Sequence, residues 1–145
     1  MMVKILFVCT GNSCRSPMAE LYFNHIARER KLDVVAASAG IYANDGGPIS
    51  RGAAAVMEEL GIDFSEFRSK AFTPLRAGRY DMLIGMTRTH AVLMGDIVPE
   101  VKHKVCTLVS GEDVPDPFGG GVEQYRKVFD FMRPSLDQLL TEFSI

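Results

Sequence analysis

The chain has 145 residues, 47% of them hydrophobic and 23% charged, a balance that fits one soluble globular domain with a real core. A formal net charge of −2 gives no overall attraction to nucleic acid or to an acidic membrane surface, so neither partner is expected. No apolar run approaches the roughly 20 residues that span a bilayer, and the apolar opening 1–8 ends in a glycine-bearing loop rather than a small-residue cleavage site; a cytoplasmic location is expected.

Residues 3–8 (VKILFV) form a short apolar run rich in branched side chains, as in a central strand. A loop follows, then a helical pattern over 16–30 with Ala19, Phe23, Ile26 and Ala27 on one stripe and Pro17 in the first turn. Residues 34–38 read as a second strand. Residues 50–60 read as a second helix, with Ser50 as N-cap and Gly61 as the stop. Residues 81–86 (DMLIGM) are a third buried strand, 87–94 a helix and 104–109 a fourth strand. The last helix covers 122–143 on a stripe of Tyr125, Val128, Phe129, Met132, Leu136, Leu139 and Leu140, and Pro134 should kink or split it. The alternation predicts an α/β fold: a single domain over 1–145, with a four-stranded parallel sheet and helices on both faces.

Three cysteines, Cys9, Cys14 and Cys106, make a poor disulfide framework and suit free thiols in a reducing compartment. No pair of CxxC motifs and no HExxH occurs, so no metal and no other cofactor is expected. His90 and the Lys102-His103-Lys104 cluster read as solvated surface.

Between the first strand and the first helix runs Cys9-Thr10-Gly11-Asn12-Ser13-Cys14-Arg15-Ser16. Loop amides turned inward, together with a helix N-terminus, make a site for phosphate or another oxyanion. Gly11 and Asn12 are the residue types that most readily take left-handed backbone angles, which such curling requires. A cysteine in that field should be biased toward its thiolate, the reactive form. Arg15 can grip two phosphate oxygens with its fork, and Ser16 can donate its hydroxyl to Cys9. The absence of Gly-Lys-Ser/Thr excludes a nucleotide P-loop. A thiolate attacking phosphorus needs an acid for the leaving group. Asp113 and Asp116 in Asp113-Val114-Pro115-Asp116-Pro117-Phe118-Gly119 are the candidates, and the prolines flanking Asp116 favour it.

Four segments resemble the low-molecular-weight protein-tyrosine phosphatase family over nearly the whole chain: FVCTGNSCRSPMAE, the SAG at 38–40, Met86-Thr87 with His90 following, and Asp116-Pro117-Phe118. The resemblance implies a phosphocysteine on Cys9, later hydrolysed by water, with Asp116 first acid and then base. It also implies that Asn12 and Ser38 support the loop. Family members often carry a histidine in Ser-x-His-Arg-Ser; here the segment is Ser65-Glu66-Phe67-Arg68-Ser69, so part of that support is missing or rebuilt.

The resemblance leaves the substrate, a phosphorylated protein, open. Tyrosine phosphatases of the family hold the ring between a bulky apolar loop residue and two aromatics after Asp-Pro. This chain has Ser13 in the loop and Phe118-Gly119-Gly120 after Asp-Pro, which is similar to the protein-arginine phosphatase branch, although that branch has threonine where Ser13 stands. Phosphotyrosine and phosphoarginine both remain, with Ser13 and Phe118 as pocket residues. Arsenate reduction is disfavoured because it needs a relay of further cysteines, and only Cys106 is left. A non-catalytic phosphate-binding module gains little with Cys9, Arg15 and Asp116 all present. Finally, Cys9 and Cys14 sit at opposite ends of a tightly curled loop, where a reversible disulfide is one reading and a packed thiol the other.

Overall fold

The structure, a computed structural model, describes residues 1–144. Four parallel strands, β1 (Val3–Cys9), β2 (Val34–Gly40), β3 (Met82–Gly85) and β4 (Val105–Thr107), lie in the order β2-β1-β3-β4. The helices are α1 (Arg15–Glu29), α2 (Arg51–Glu59), α3 (Pro74–Ala77), α4 (Arg88–Ile97) and α5 (Val122–Thr141). This is the expected α/β architecture. No helix among the described residues is long and apolar enough to cross a membrane.

β1 is apolar on both faces because both faces are covered. Its pleat sends Ile5, Phe7 and Cys9 toward α1 and α5, where Phe7 meets Phe23 edge-on with ring centroids 5.7 Å apart. Leu6 and Val8 point the other way, into a smaller cluster with Ala77, Leu83 and Met94. From β1 the chain moves to β2 on one side and then to β3 on the other. The carboxyl ends of β1 and β3 therefore flank the topological switch point, where ligands bind in open α/β sheets. Cys9, the last residue of β1, is delivered there.

The stripe expected on α5 is the one buried, from Tyr125 to Leu140. Ser50 caps α2 as expected, its hydroxyl accepting the Ala53 N–H at 3.3 Å. Other boundaries differ. α5 runs unbroken through Pro134, because the proline and the Asp130 carbonyl it leaves unpaired lie on the water-facing side of the helix. Residue 104, expected to open the fourth strand, instead ends a 3₁₀ helix over Pro99–Lys104, and Lys104 turns its ammonium to the Tyr80 carbonyl at 2.6 Å. α3, capped by Thr73, has no counterpart in the periodicity reading, since four residues are too few to show a period.

Candidate active site

Residues 10–14 curl at the end of β1, and α1 begins at Arg15. Asn12 takes the left-handed conformation at φ 51, whereas Gly11 does not. The curl is packed tightly from β2: a Cβ on Gly40 would stand 2.6 Å from the Thr10 carbonyl and 2.8 Å from the Asn12 nitrogen, so only glycine fits there.

The expected site residues divide into two sets. Cys9, Thr10, Gly11, Ser13, Cys14, Arg15, Asp116 and Phe118 line one pocket of about 260 Å³. Asn12, Ser16 and Ser38 lie fully buried behind it. Their hydrogen bonds have a determined direction. The Lys70 backbone N–H donates to Asn12 Oδ1 at 2.8 Å, which turns both amide hydrogens toward hydroxyls: Ser16 Oγ and Ser38 Oγ, each at 2.9 Å. Ser16 Oγ thus accepts from Asn12, and its own proton is free to point at Cys9 Sγ, 2.9 Å away.

On the other side, Ser38 donates to Glu20 Oε1 at 2.6 Å. Burial pushes the Glu20 carboxyl above the usual carboxylate range, against the pull of Ser38 and Lys70. Glu20 and the Lys70 amide thus end the buried hydrogen-bond network behind the loop, and Phe67, where the family's histidine was expected, is buried and lines a cavity with both residues. Sequence reasoning missed Glu20, and its only signal was its place at the end of the quoted loop motif.

Arg15 is buried at 5% exposure. Its Nη1 donates to the Val114 carbonyl at 3.0 Å and its Nη2 to Thr10 Oγ1 at 3.4 Å, while Nη2 lies 3.8 Å from Asp116 Oδ2. The segment carrying Asp116 is tied down at several points. The Val114 N–H donates to the Met86 carbonyl at 2.9 Å, and Asp116 Oδ1 accepts the Phe118 N–H at 3.1 Å. Asp113 points elsewhere: its carboxylate accepts the Arg88 N–H at 2.9 Å and pairs with the Arg88 side chain, contacts that hold it below the usual carboxylate range. Of the two acids, only Asp116 lines the pocket.

His90 is not the surface residue expected from sequence. It is 5% exposed, with Nε2 2.9 Å from Thr10 Oγ1 and Nδ1 2.9 Å from Thr87 Oγ1. Thr87 caps α4, which draws the ring under the loop. The Thr-x-x-His spacing at a helix start was its available signal. The cluster at 102–104 is partly as expected: Lys102 and His103 are exposed, whereas Lys104 is half-buried on the Tyr80 carbonyl.

A thiol at the mouth of an anion loop, a buried arginine beside it and a carboxylate on the facing segment define a cysteine-dependent phosphohydrolase site on a doubly wound sheet. The model of the low molecular weight phosphotyrosine protein phosphatase family matches residues 4–144, and the chain belongs to that family. It is a phosphohydrolase of that kind. The chain is 36% identical to a protein-arginine-phosphatase of Bacillus subtilis, with 94% of each chain covered. A low molecular weight protein tyrosine phosphatase from T. tengcongensis superposes with a TM-score of 0.91 at 36% identity, covering 97% of this chain and 99% of that one. The YwlE arginine phosphatase, solved as a Cys-to-Ser mutant with a phosphorylated active-site serine, superposes with a TM-score of 0.91 at 34% identity, covering 97% and 95%.

Proposed function

We propose that residues 1–145 act as one cytoplasmic catalytic domain that removes phosphoryl groups from phosphoarginine in proteins, through a phosphocysteine on Cys9. The observation that carries the covalent step is the Ser16 hydroxyl 2.9 Å from Cys9 Sγ, with its proton free to donate. The Cys9 thiolate attacks phosphorus in line, and the bond from phosphorus to the leaving nitrogen breaks as Asp116 gives that nitrogen a proton. Charge on the equatorial oxygens is met by Arg15 and by backbone N–H groups of the loop at 10–14, which lines the pocket. Asp116, now a carboxylate, takes a proton from water as it attacks the phosphocysteine. Phosphate leaves and the thiolate returns.

The substrate class follows from the walls. A guanidinium offers several N–H donors and a phenyl ring offers none, and the pocket is lined by Ser13 and by Asp116, whose carboxyl keeps an acceptor oxygen beside the proton it gives. Position 119, where tyrosine phosphatases keep a second aromatic, has φ +84, a backbone that an aromatic residue adopts only with strain. The relatives named protein-arginine-phosphatase support the same reading. One observation favours phosphotyrosine as a second substrate: Phe118 is 78% exposed at the pocket and can stack on a ring as well as on a guanidinium. The ratio of kcat/KM on phosphoarginine and phosphotyrosine peptides decides between them, and it should favour phosphoarginine. Ser13→Ile should shift that ratio toward phosphotyrosine by about tenfold or more, as one apolar contact is gained and polar space filled. An unchanged ratio would remove residue 13 as the selector.

We also propose that Cys14 protects Cys9 from irreversible oxidation. Both thiols are buried in the same cluster under the loop, and Cys14 Sγ lies 3.3 Å from the Tyr125 hydroxyl. Peroxide would oxidise the Cys9 thiolate to the sulfenic acid, and Cys14 sulfur would then displace hydroxide to form the disulfide, which a thiol reductant reopens. Mild peroxide is expected to inactivate the wild-type protein reversibly and Cys14→Ser irreversibly. The same recovery in both would end this reading.

A further inference from the structure

His90 has no part in the chemistry set out above, yet it is buried against the loop that performs it. Its ring bridges two hydroxyls. Thr87 Oγ1, the cap of α4, accepts the His90 backbone N–H at 3.1 Å and meets Nδ1 at 2.9 Å, so the start of the helix sets the ring's position. Nε2 meets Thr10 Oγ1 at 2.9 Å, and that same oxygen accepts the Arg15 Nη2–H at 3.4 Å. On the other side of the guanidinium, Nη1 is anchored to the Val114 carbonyl at 3.0 Å. Two hydrogen bonds, one on each terminal nitrogen, define the plane of the fork. Without the Thr10 bond, Arg15 keeps the Val114 bond and only the longer 3.8 Å ion pair with Asp116, and the fork can pivot.

The ring is neutral at ordinary pH. Burial, and after it the charge of Arg15, bring His90 down to about 4, against the opposite pull of Asp113 and Asp116 from the segment after β4. A neutral imidazole carries one donor and one acceptor nitrogen, enough to serve both threonines in either tautomer. A protonated ring would instead place a second cation beside Arg15. Below its ordinary value of 6.5, the unfolded chain binds a proton that native His90 refuses, so the stability His90 contributes is lost as pH falls from 6.5 through about 4.

We propose that His90 is a positioning residue for phosphoryl transfer: through the Thr10 hydroxyl it holds the Arg15 guanidinium in the plane that receives the phosphoryl oxygens. This rests on the reading of Arg15 as the phosphoryl grip. Because Arg15 grips substrate, transition state and product alike, inorganic phosphate reports its orientation without any chemical step.

The test measures the inhibition constant of inorganic phosphate, with p-nitrophenyl phosphate as substrate, in four variants. His90→Asn keeps an amide facing Thr87 but does not reach Thr10, whereas His90→Gln reaches the position of Nε2. His90→Asn and Thr10→Val are each expected to weaken phosphate by about five- to tenfold, and His90→Gln to stay within about twofold of wild type. The double variant His90→Asn/Thr10→Val should be no weaker than the poorer single one, since both break the same bridge. Wild-type phosphate affinity in His90→Asn, equal losses in the Asn and Gln variants, or a double loss equal to the product of the two singles would each overturn the proposal. Should His90→Asn not fold, a pH series replaces it. The wild-type constant should weaken as pH falls through about 4 more steeply than that of Thr10→Val, and parallel curves would overturn the proposal. A wild type that phosphate does not inhibit overturns the reading of the site itself, and this proposal with it.

Discussion

Cys9→Ser is expected to reduce hydrolysis of p-nitrophenyl phosphate by at least about 10⁴-fold while leaving the thermal midpoint nearly unchanged. Serine is close to isosteric with cysteine, and its hydroxyl retains a partner in Ser16, 2.9 Å from the present sulfur. The fold therefore loses little. The chemistry loses the nucleophile, because an alcohol is a far weaker acid than a thiol and one hydrogen bond and a helix N-terminus do not deprotonate it. A steady-state assay together with a melting curve checks both halves. Substantial residual turnover in a folded variant would rule out Cys9 as the attacking group.

Asp116→Ala is expected to lower kcat by about 10² to 10⁴-fold on phenyl phosphate, whose leaving group needs a proton, and by much less on p-nitrophenyl phosphate, whose leaving group does not. Asp113→Ala is expected to leave both rates within a few-fold of wild type. The difference follows from where the two carboxylates lie: Asp116 lines the pocket 3.8 Å from Arg15 Nη2, whereas Asp113 is occupied with the Arg88 N–H at 2.9 Å at the start of α4. A leaving-group dependence that appears in Asp113→Ala instead would reverse the assignment.

Much of this molecule was legible in the sequence because its signals are local. The run at 3–8 is apolar on both faces from Ile5 onward, as a strand covered on both sides must be, and the α5 stripe at 3.6-residue spacing is buried from Tyr125 to Leu140. Cys9, Arg15 and Ser16 lie within one strand–loop–helix unit, so their meeting needed no knowledge of the rest of the chain. Other features depend on contacts distant in sequence. His90 reads as one polar residue on a short helix until β3 sets α4 beside the loop, 80 residues away in sequence from Thr10. Lys70 supports Asn12 with its backbone N–H, which no side-chain pattern reveals, and Glu20 meets Ser38 only because α1 packs over β2. The 3₁₀ turn at 99–104 was hidden because its polar residues are compatible with either a strand edge or a loop.

The covalent intermediate is where the account is most exposed. Asp116→Ala mixed rapidly with excess p-nitrophenyl phosphate should release one equivalent of p-nitrophenol per active site in a burst and then turn over slowly, because the base that activates water is gone. Quenching at the end of the burst and mapping the protein by mass spectrometry should place one phosphoryl group on the peptide carrying Cys9, and no such adduct should form in Cys9→Ala. A linear time course with no adduct, or a phosphoryl group on any residue other than Cys9, would contradict the account.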